Sequence, residues 1–197
     1  MKFSLSLREL NLNFVSISTH AMTYDFSARS VPSKGTAIST HRQLRANGTS
    51  ILQLGQFYTA MLERGLWSSQ ATMAADLTVS ASNVSRSMTA ARLPKALVDA
   101  AGGDARITFA VADGFDFLST QLGDTIVAER ARELPRGLSI KEIEHALLTG
   151  APPRADEVTV SVSANKTHLI VESARLPSIL REAPDIVQLI NAILRAN

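Results

Sequence analysis

The sequence contains no cysteine among its 197 residues. Without thiols the chain cannot form a disulfide, supply a cysteine nucleophile or bind an iron–sulfur cluster or a cysteine-ligated zinc ion. This absence fits a reducing compartment, and we expect a cytoplasmic protein. Because 45% of the residues are hydrophobic, a chain of this length buries enough surface to fold without such links.

Aromatic residues and long apolar runs are also scarce. Aromatics make up only 5% of the chain, which argues against a platform that stacks single-stranded bases. No stretch of 18 consecutive apolar residues occurs, so the sequence predicts no membrane-spanning helix. The sequence also lacks the His-Glu-x-x-His, Gly-x-Ser-x-Gly and phosphate-loop motifs. It therefore predicts no enzyme, no metal site and no cofactor.

Acidic residues are few in the first half of the chain. Residues 1–95 contain ten Lys and Arg against four Asp and Glu, whereas residues 96–197 contain ten against fourteen. The first half is therefore the part that we expect to meet a polyanion.

Composition divides the chain into three parts. Residues 1–48 are predicted to be an N-terminal arm or linker, because residues 18–40 are polar and carry Val-Pro-Ser-Lys-Gly at their centre. Residues 49–150 show helical periodicity and are predicted to form a helical domain. After two prolines, residues 154–197 are predicted to form a small C-terminal module.

The helical part predicts a helix-turn-helix over about residues 68–91, preceded by a helix over about 50–64. Serines are suited to cap both helices of the motif, namely Ser68 or Ser69 for the first and Ser80 for the second. Counted from Gln70, Ala74 is the small residue needed where the two helices touch, and Val84 is the branched residue that fills the core. Thr78 stands at the turn, where left-handed backbone usually requires glycine.

The second helix, about residues 80–91, presents polar residues of a composition that suits DNA. Arg86 can form a bidentate pair with guanine, and Asn83 can pair with adenine. Serines are suited to bond phosphates or base edges, namely Ser80, Ser82 and Ser87. No acidic residue accompanies them, whereas a solvated helix face, the alternative interpretation, usually carries both signs of charge.

Residues 55–100 resemble the central DNA-binding region of ParB-family plasmid partition proteins. The residues that carry the resemblance are Tyr58, Gly65, Ser69-Gln70, Ala74, Val79-Ser80, the run Asn83-Val84-Ser85-Arg86 and the run Ala91-Arg92-Leu93-Pro94. The trailing Leu-Pro is the most restrictive part, since Pro94 ends one helix and opens the next.

The resemblance implies a dimeric protein that binds a centromere-like DNA site and works with a ParA-type ATPase. It implies that the second helix of the motif contacts DNA, and it adds Ser69, Gln70, Arg92 and Lys95 as contacts, Gln70 to a phosphate. The Gly-Glu-Arg-Arg signature of the family's nucleotide-binding clamp is missing, Arg42 and Arg45 being the nearest basic pair, so CTP binding is not carried over.

After the motif, residues 105–122 fit either a helix or a strand, and helix is the interpretation we favour. Further helices are predicted over residues 124–134 and from Ser139, with Glu142 in a capping box, to Gly150. Four arginines of this region either add phosphate contacts or are solvated, namely Arg106, Arg130, Arg132 and Arg136.

The C-terminal module predicts a β-hairpin over residues 158–173 and a helix over about 184–195. Its apolar surface exceeds what a hairpin can bury, so we expect either self-association or packing on residues 105–150. The residues predicted to form a dimer interface are Val160, Val162, Leu169, Val171, Ile186, Leu189, Ile190 and Ile193.

Taken together, the sequence predicts a mainly α fold with a small α+β C-terminal module, and a site-specific double-stranded DNA-binding homodimer of ParB type. Two alternatives remain open. A dimeric transcriptional repressor would use the same DNA-binding helices, and a protein-interaction adaptor would keep the helical fold without binding DNA.

Overall fold

The computed structural model describes residues 24–154 and 157–196. It confirms the fold class, since the described chain is mostly helical with a small antiparallel sheet near its C-terminus. The N-terminal part of the predicted arm, residues 1–23, lies outside the described residues. The helices are α1 (Lys34–Ala46), α2 (Ile51–Glu63), α3 (Gln70–Leu77), α4 (Ala81–Ala90), α5 (Lys95–Ala100), α6 (Phe109–Leu122), α7 (Asp124–Glu133), α8 (Ile140–Thr149), α9 (Leu176–Arg181) and α10 (Ala183–Ala196), and the strands are β1 (Thr159–Val162) and β2 (Leu169–Glu172).

Helix α1 corrects the prediction that residues 1–48 form only an arm or linker. Ser33 caps this helix, which buries Ala37, His41 and Leu44 in the helical core. Helix α1 has no clear apolar periodicity in the sequence, because its buried side contains only one large aliphatic side chain, with a histidine and an alanine. Upstream of α1, the Arg64 guanidinium donates hydrogen bonds to main-chain carbonyls, those of Phe26 at 2.9 Å, Ser27 at 3.3 Å and Val31 at 2.5 Å.

Two groups of buried side chains form the core. The first joins α1, α2, α3 and α4, with Phe57, Met61 and Val84 all fully buried. The second joins α5 to α8, with Phe115 and Ile143 at its centre. Helices α2 and α4 contribute to both groups, so α4 is held from two sides.

The crossing of α2 and α4 depends on Gly55. A methyl group at this position would lie 1.9 Å from the main-chain oxygen of Ser87 and 2.8 Å from the Cβ of Ala91. Only glycine allows the two backbones to approach this closely. Gly55 therefore determines how α4 is rotated, and hence which of its faces points outward.

His41 makes the stability of the protein depend on pH. Its Nε2 lies 3.0 Å from the Tyr58 hydroxyl, and burial, with a smaller effect of the Arg45 charge, lowers the pKa of His41 to about 4. In the unfolded chain a histidine has a pKa near 6.5. Because the unfolded state takes up the proton first as the pH falls, the free energy of unfolding should fall by about 1.4 kcal/mol per pH unit between about pH 6.5 and 4.

Urea denaturation at pH 7.0, 5.5 and 4.5 measures this effect. His41→Gln should reduce the loss of stability over this interval, whereas the exposed His168→Gln should retain it. Equal pH profiles for all three proteins would contradict a role of His41.

The hairpin packs on the helical domain. Strand β1 pairs antiparallel with β2, which confirms the predicted hairpin, and the register places Val160 opposite Val171 and Val162 opposite Leu169. The main-chain N–H of Val160 donates to Nδ1 of the buried His145 in α8, at 2.9 Å. At the hairpin tip, Lys166 donates to the main-chain oxygen of Asp113 in α6, at 2.6 Å.

Candidate nucleic-acid interface

Helices α3 and α4 form the predicted helix-turn-helix pair. Of the two candidate caps for α3, Ser69 is the one used, and its hydroxyl accepts from the N–H of Thr72 at 3.1 Å. Ser80 caps α4 by accepting from the N–H of Asn83 at 3.1 Å. Between them Thr78 has left-handed backbone, with φ 58° and ψ 45°. The turn therefore has the conformation that the spacing of the motif predicts.

Thr78→Gly should stabilise the protein. Left-handed backbone at a β-branched residue costs about 1–3 kcal/mol, which exceeds the added chain entropy of glycine, about 0.5–1 kcal/mol. We expect the free energy of unfolding to rise by about 1 kcal/mol, measured by chemical denaturation. Thr89→Gly, within α4, is the matched control and should instead lower it by a few tenths of a kcal/mol, about 0.3 kcal/mol or more, since glycine favours helix less than threonine does. Lower stability of Thr78→Gly would show that the threonine side chain compensates for the strain.

One side of α4 is presented outward. Val84 and Met88 point into the core, as predicted. Ser82 and Ser85 are exposed, and Arg86 and Thr89 are half-exposed. We call these four residues, Ser82, Ser85, Arg86 and Thr89, the outer face of α4. It carries no acidic residue, and the first turn of α4 contains none that would offset the positive end of the helix dipole.

The prediction that Ser87 lies outside was wrong. Its side chain is 0% exposed, because this side of α4 lies against Gly55 of α2. Ser87 therefore does not reach a duplex in this structure. Ser85, which the sequence interpretation passed over, is exposed in its place. The positions of the inward residues Val84 and Met88 do not predict that Ser87 is buried and Ser85 exposed. The burial of Ser87 comes from contact with α2, which the periodicity of α4 does not indicate.

Asn83 is less available than predicted. It is half-buried, and its Oδ1 accepts from the Ser87 hydroxyl at 3.4 Å. Bidentate recognition of adenine needs both a donor and an acceptor from the amide. The bond to Ser87 uses one of the two lone pairs of Oδ1, so recognition of adenine by Asn83 would depend on the remaining lone pair and on the exposed part of the amide.

Arg86 contacts α6, a helix that sequence reasoning did not connect with the motif. Its Nη2 lies 2.5 Å from Oδ2 of Asp113, and its guanidinium carbon lies 4.6 Å from the centre of the Phe109 ring. The Arg86 side chain nevertheless remains 42% exposed. Asp113 is 27 residues away in sequence, so no local pattern signals this contact.

At the start of α3, the predicted contacts Ser69 and Gln70 lie at the surface. Ser69 is exposed and Gln70, the first helical residue, is half-exposed. Ser80 is exposed at the start of α4, and its hydroxyl can still donate because the capping bond uses it as an acceptor. Helix N-termini with free donors suit phosphate oxygens.

Further cations follow α4 in the chain. Arg92 is exposed; its main-chain N–H donates to the Thr89 carbonyl at 3.0 Å, and its guanidinium has no hydrogen bond or ion pair with residues 24–154 or 157–196. Lys95 pairs with Asp99 at 2.6 Å, but its side chain is 86% exposed, so the pair is weak. Lys95, Arg132 and Arg136 line a cleft of about 510 Å³ between α5 and α7.

The other two arginines of this region have structural roles. Arg106 donates to the main-chain oxygen of Leu138 at 3.2 Å. Arg130 donates to the carbonyls of Leu147 and Leu148, near the C-terminal end of α8. Of the four arginines considered for phosphate contacts, Arg132 and Arg136 therefore remain as candidates.

The predicted dimer residues fall into two groups. Val160 and Val162 are half-buried, and Val162 packs on the second core group. The others are exposed in the single chain, namely Leu169, Val171, Ile186, Leu189, Ile190 and Ile193. The large apolar side chains of α10 are 39–70% exposed, which contradicts the alternative that this helix packs on residues 105–150. We call Ile186, Leu189, Ile190 and Ile193 the apolar face of α10.

Within the described ranges, no group of three or more His, Asp or Glu side chains is arranged to hold a metal ion. None of the described helices has both the length and the apolar character needed to cross a bilayer. Comparisons with known proteins identify no relative: no family model matches the sequence, and no curated protein or solved structure matches it significantly.

Proposed function

We propose that this chain binds double-stranded DNA sequence-specifically as a homodimer, with α4 in the major groove, and acts in ParB-type partition of a plasmid or related element. The observation that carries the proposal is the outer face of α4, which lies at the surface and follows a left-handed turn. None of its four residues on α4 is acidic, although the Asp113 carboxylate of α6 pairs with its Arg86. The exposed apolar face of α10 would serve a protein-interaction adaptor as well as a DNA-binding dimer, so it does not separate the two functions. The outer face of α4 does favour DNA. The partition role itself rests on the resemblance of residues 55–100.

Each part of the surface has a distinct role in this proposal. Ser69, Gln70 and Ser80 bond phosphates at the starts of α3 and α4. Ser82, Ser85 and Arg86 meet base edges. Arg92 and Lys95 follow the backbone beyond α4, and the cleft that includes Arg132 and Arg136 extends this basic surface.

Dimerisation would place two copies of α4 on two half-sites. When two DNA-binding domains are linked, the second binds its half-site at a high effective concentration, which raises the apparent affinity by about 10²–10⁴-fold. The apolar face of α10 is the surface that we assign to this contact. A dimer of this kind reads a site whose two halves are related by the protein's two-fold axis.

Selection from a library of random DNA duplexes tests the proposal. The full chain should enrich one motif, and its affinity should fall steeply with salt, with a log–log slope of about −0.9 for each phosphate contacted. Ser85→Glu places a negative charge on the outer face and should weaken binding at least about tenfold, a loss of about 1.4 kcal/mol. Gln121→Glu, an exposed change of the same charge on α6, is the matched control and should weaken it less than about threefold.

The outcomes separate the candidate functions. A library without an enriched motif, or a flat response to salt, would contradict DNA recognition. The repressor alternative shares the same DNA-binding surface. Stimulation of a ParA-type ATPase by the DNA-bound protein is the result expected for partition and not for a repressor.

A further inference from the structure

We propose that Asp113 and Phe109 of α6 position the Arg86 side chain so that Arg86 recognises a guanine in the bound duplex. This inference rests on the proposed function. Asp113 and Phe109 are positioning residues here, because they act through Arg86 and not on the DNA.

The contacts with α6 restrain the Arg86 guanidinium but leave some of its N–H donors free. Arg86 donates from one nitrogen, Nη2, to Oδ2 of Asp113 at 2.5 Å, and its guanidinium carbon lies 4.6 Å from the centre of the Phe109 ring. A guanidinium has five N–H donors in a planar fork, so donors remain for the two acceptors of guanine, O6 and N7. The side chain is 42% exposed, so these donors are accessible from solvent.

Restraint of Arg86 has a physical benefit for recognition. A long arginine side chain loses rotamer freedom when it forms a bidentate pair, and a side chain that is already restrained loses less. The contact with the carboxylate holds one nitrogen of the guanidinium, and the Phe109 ring restricts the movement of the group as a whole. Specificity then comes from a guanidinium that is fixed before DNA arrives.

The positioning helix is itself anchored. Lys166 at the hairpin tip donates to the main-chain oxygen of Asp113 at 2.6 Å, and its ammonium lies 5.4 Å from the centre of the Phe117 ring. Thr108 caps the start of α6 by accepting from the N–H of Val111 at 3.3 Å. Asp113 is therefore held on a helix that contacts both α4 and the hairpin.

The opposite charges of Arg86 and Asp113 distinguish recognition of a base by Arg86 from attraction of Arg86 to the DNA phosphates. Since Asp113 offsets the charge of Arg86, the pair adds little to the general attraction between the protein and phosphate. If Arg86 served only as a phosphate contact, an adjacent carboxylate would reduce its value. The pair therefore favours a role for Arg86 in choosing a base.

The test uses the motif enriched by the wild-type full chain, with every base at each position compared by competition binding. Arg86→Ala should lose the preference for guanine at one position. Asp113→Ala should reduce the same preference by about tenfold and leave the other positions unchanged. Asp113→Asn, which keeps an acceptor oxygen, should retain part of it. Asp116→Ala removes the same charge one turn along α6, is the matched control and should leave the preference intact.

The results that overturn the inference are distinct from those that overturn DNA binding. An unchanged base preference in Asp113→Ala would exclude positioning. If this variant also bound DNA more tightly, Asp113 would act only by lowering the overall affinity. If Arg86→Ala alters no position, Arg86 is not a base reader, although DNA recognition stands. If the wild-type chain enriches no motif, the proposed function fails and this inference fails with it. Thermal unfolding of each variant shows whether a loss of preference comes from loss of fold.

Discussion

Gly55→Ala is expected to lower the free energy of unfolding by about 3 kcal/mol or to prevent folding. The added Cβ would lie 1.9 Å from the Ser87 carbonyl oxygen and 2.5 Å from its carbonyl carbon. Both atoms belong to the backbone of α4, so no side-chain rotation relieves the overlap and the two helices must separate. Because this crossing sets the rotation of α4, the proposed function also requires that any folded variant bind DNA more weakly than the wild type.

Gly35→Ala is the matched control. Gly35 also lies in a helix, α1, but a Cβ there would meet nothing closer than the Ser33 hydroxyl at 3.9 Å. Its free energy of unfolding should stay the same or rise by less than about 1 kcal/mol, since alanine favours helix over glycine. Chemical denaturation of the wild type and both variants measures the difference. Equal stability of the two variants would refute the close crossing of α2 and α4.

Joint replacement of Ile186 and Ile190 by aspartate is expected to convert the proposed dimer into a monomer. In the single chain these side chains are 39% and 50% exposed, so their loss should leave the fold of each copy intact. A dimer that buries both isoleucines from each copy gains about 1.5 kcal/mol or more from each side chain. Losing four such contributions should raise the dimer dissociation constant by at least about 10³-fold.

Gln188→Asp is the control for charge, since on a helix this residue points away from the apolar face of α10. Sedimentation should show a dimer for the wild type and for Gln188→Asp, and a monomer for the double variant. The monomer should also bind the enriched DNA motif more weakly by about 10²-fold or more. A wild-type chain that sediments as a monomer at tens of micromolar would contradict self-association through α10.

Substitution is a better test of the dimer than truncation after Gly150. Truncation would remove β1, whose Val162 packs on the core and whose Val160 N–H is bonded to His145. The shortened chain would therefore lose stability as well as the apolar face of α10. The two aspartates change only residues that are exposed in the single chain.

Local signals in the sequence were sufficient to predict most of the helices. Ser50 caps α2, the Ser139 and Glu142 capping box begins α8, and Gly150 ends it with left-handed backbone. Each signal depends on residues within one turn of the feature that it predicts, so no knowledge of the fold is required. Helix α1 was missed because its buried side includes His41, a residue that usually indicates a surface position.

The site divides in the same way. The sequence alone determines the composition of the second helix and its cap at Ser80, because both are local features. Helical periodicity also determines that Val84 and Met88 point inward. Only the tertiary structure decides that Ser87 is covered by α2 and that Arg86 pairs with Asp113. Periodicity identifies the inward side of a helix, whereas its neighbours on the remaining sides come from segments far away in the chain, and their placement depends on the packing of the whole domain.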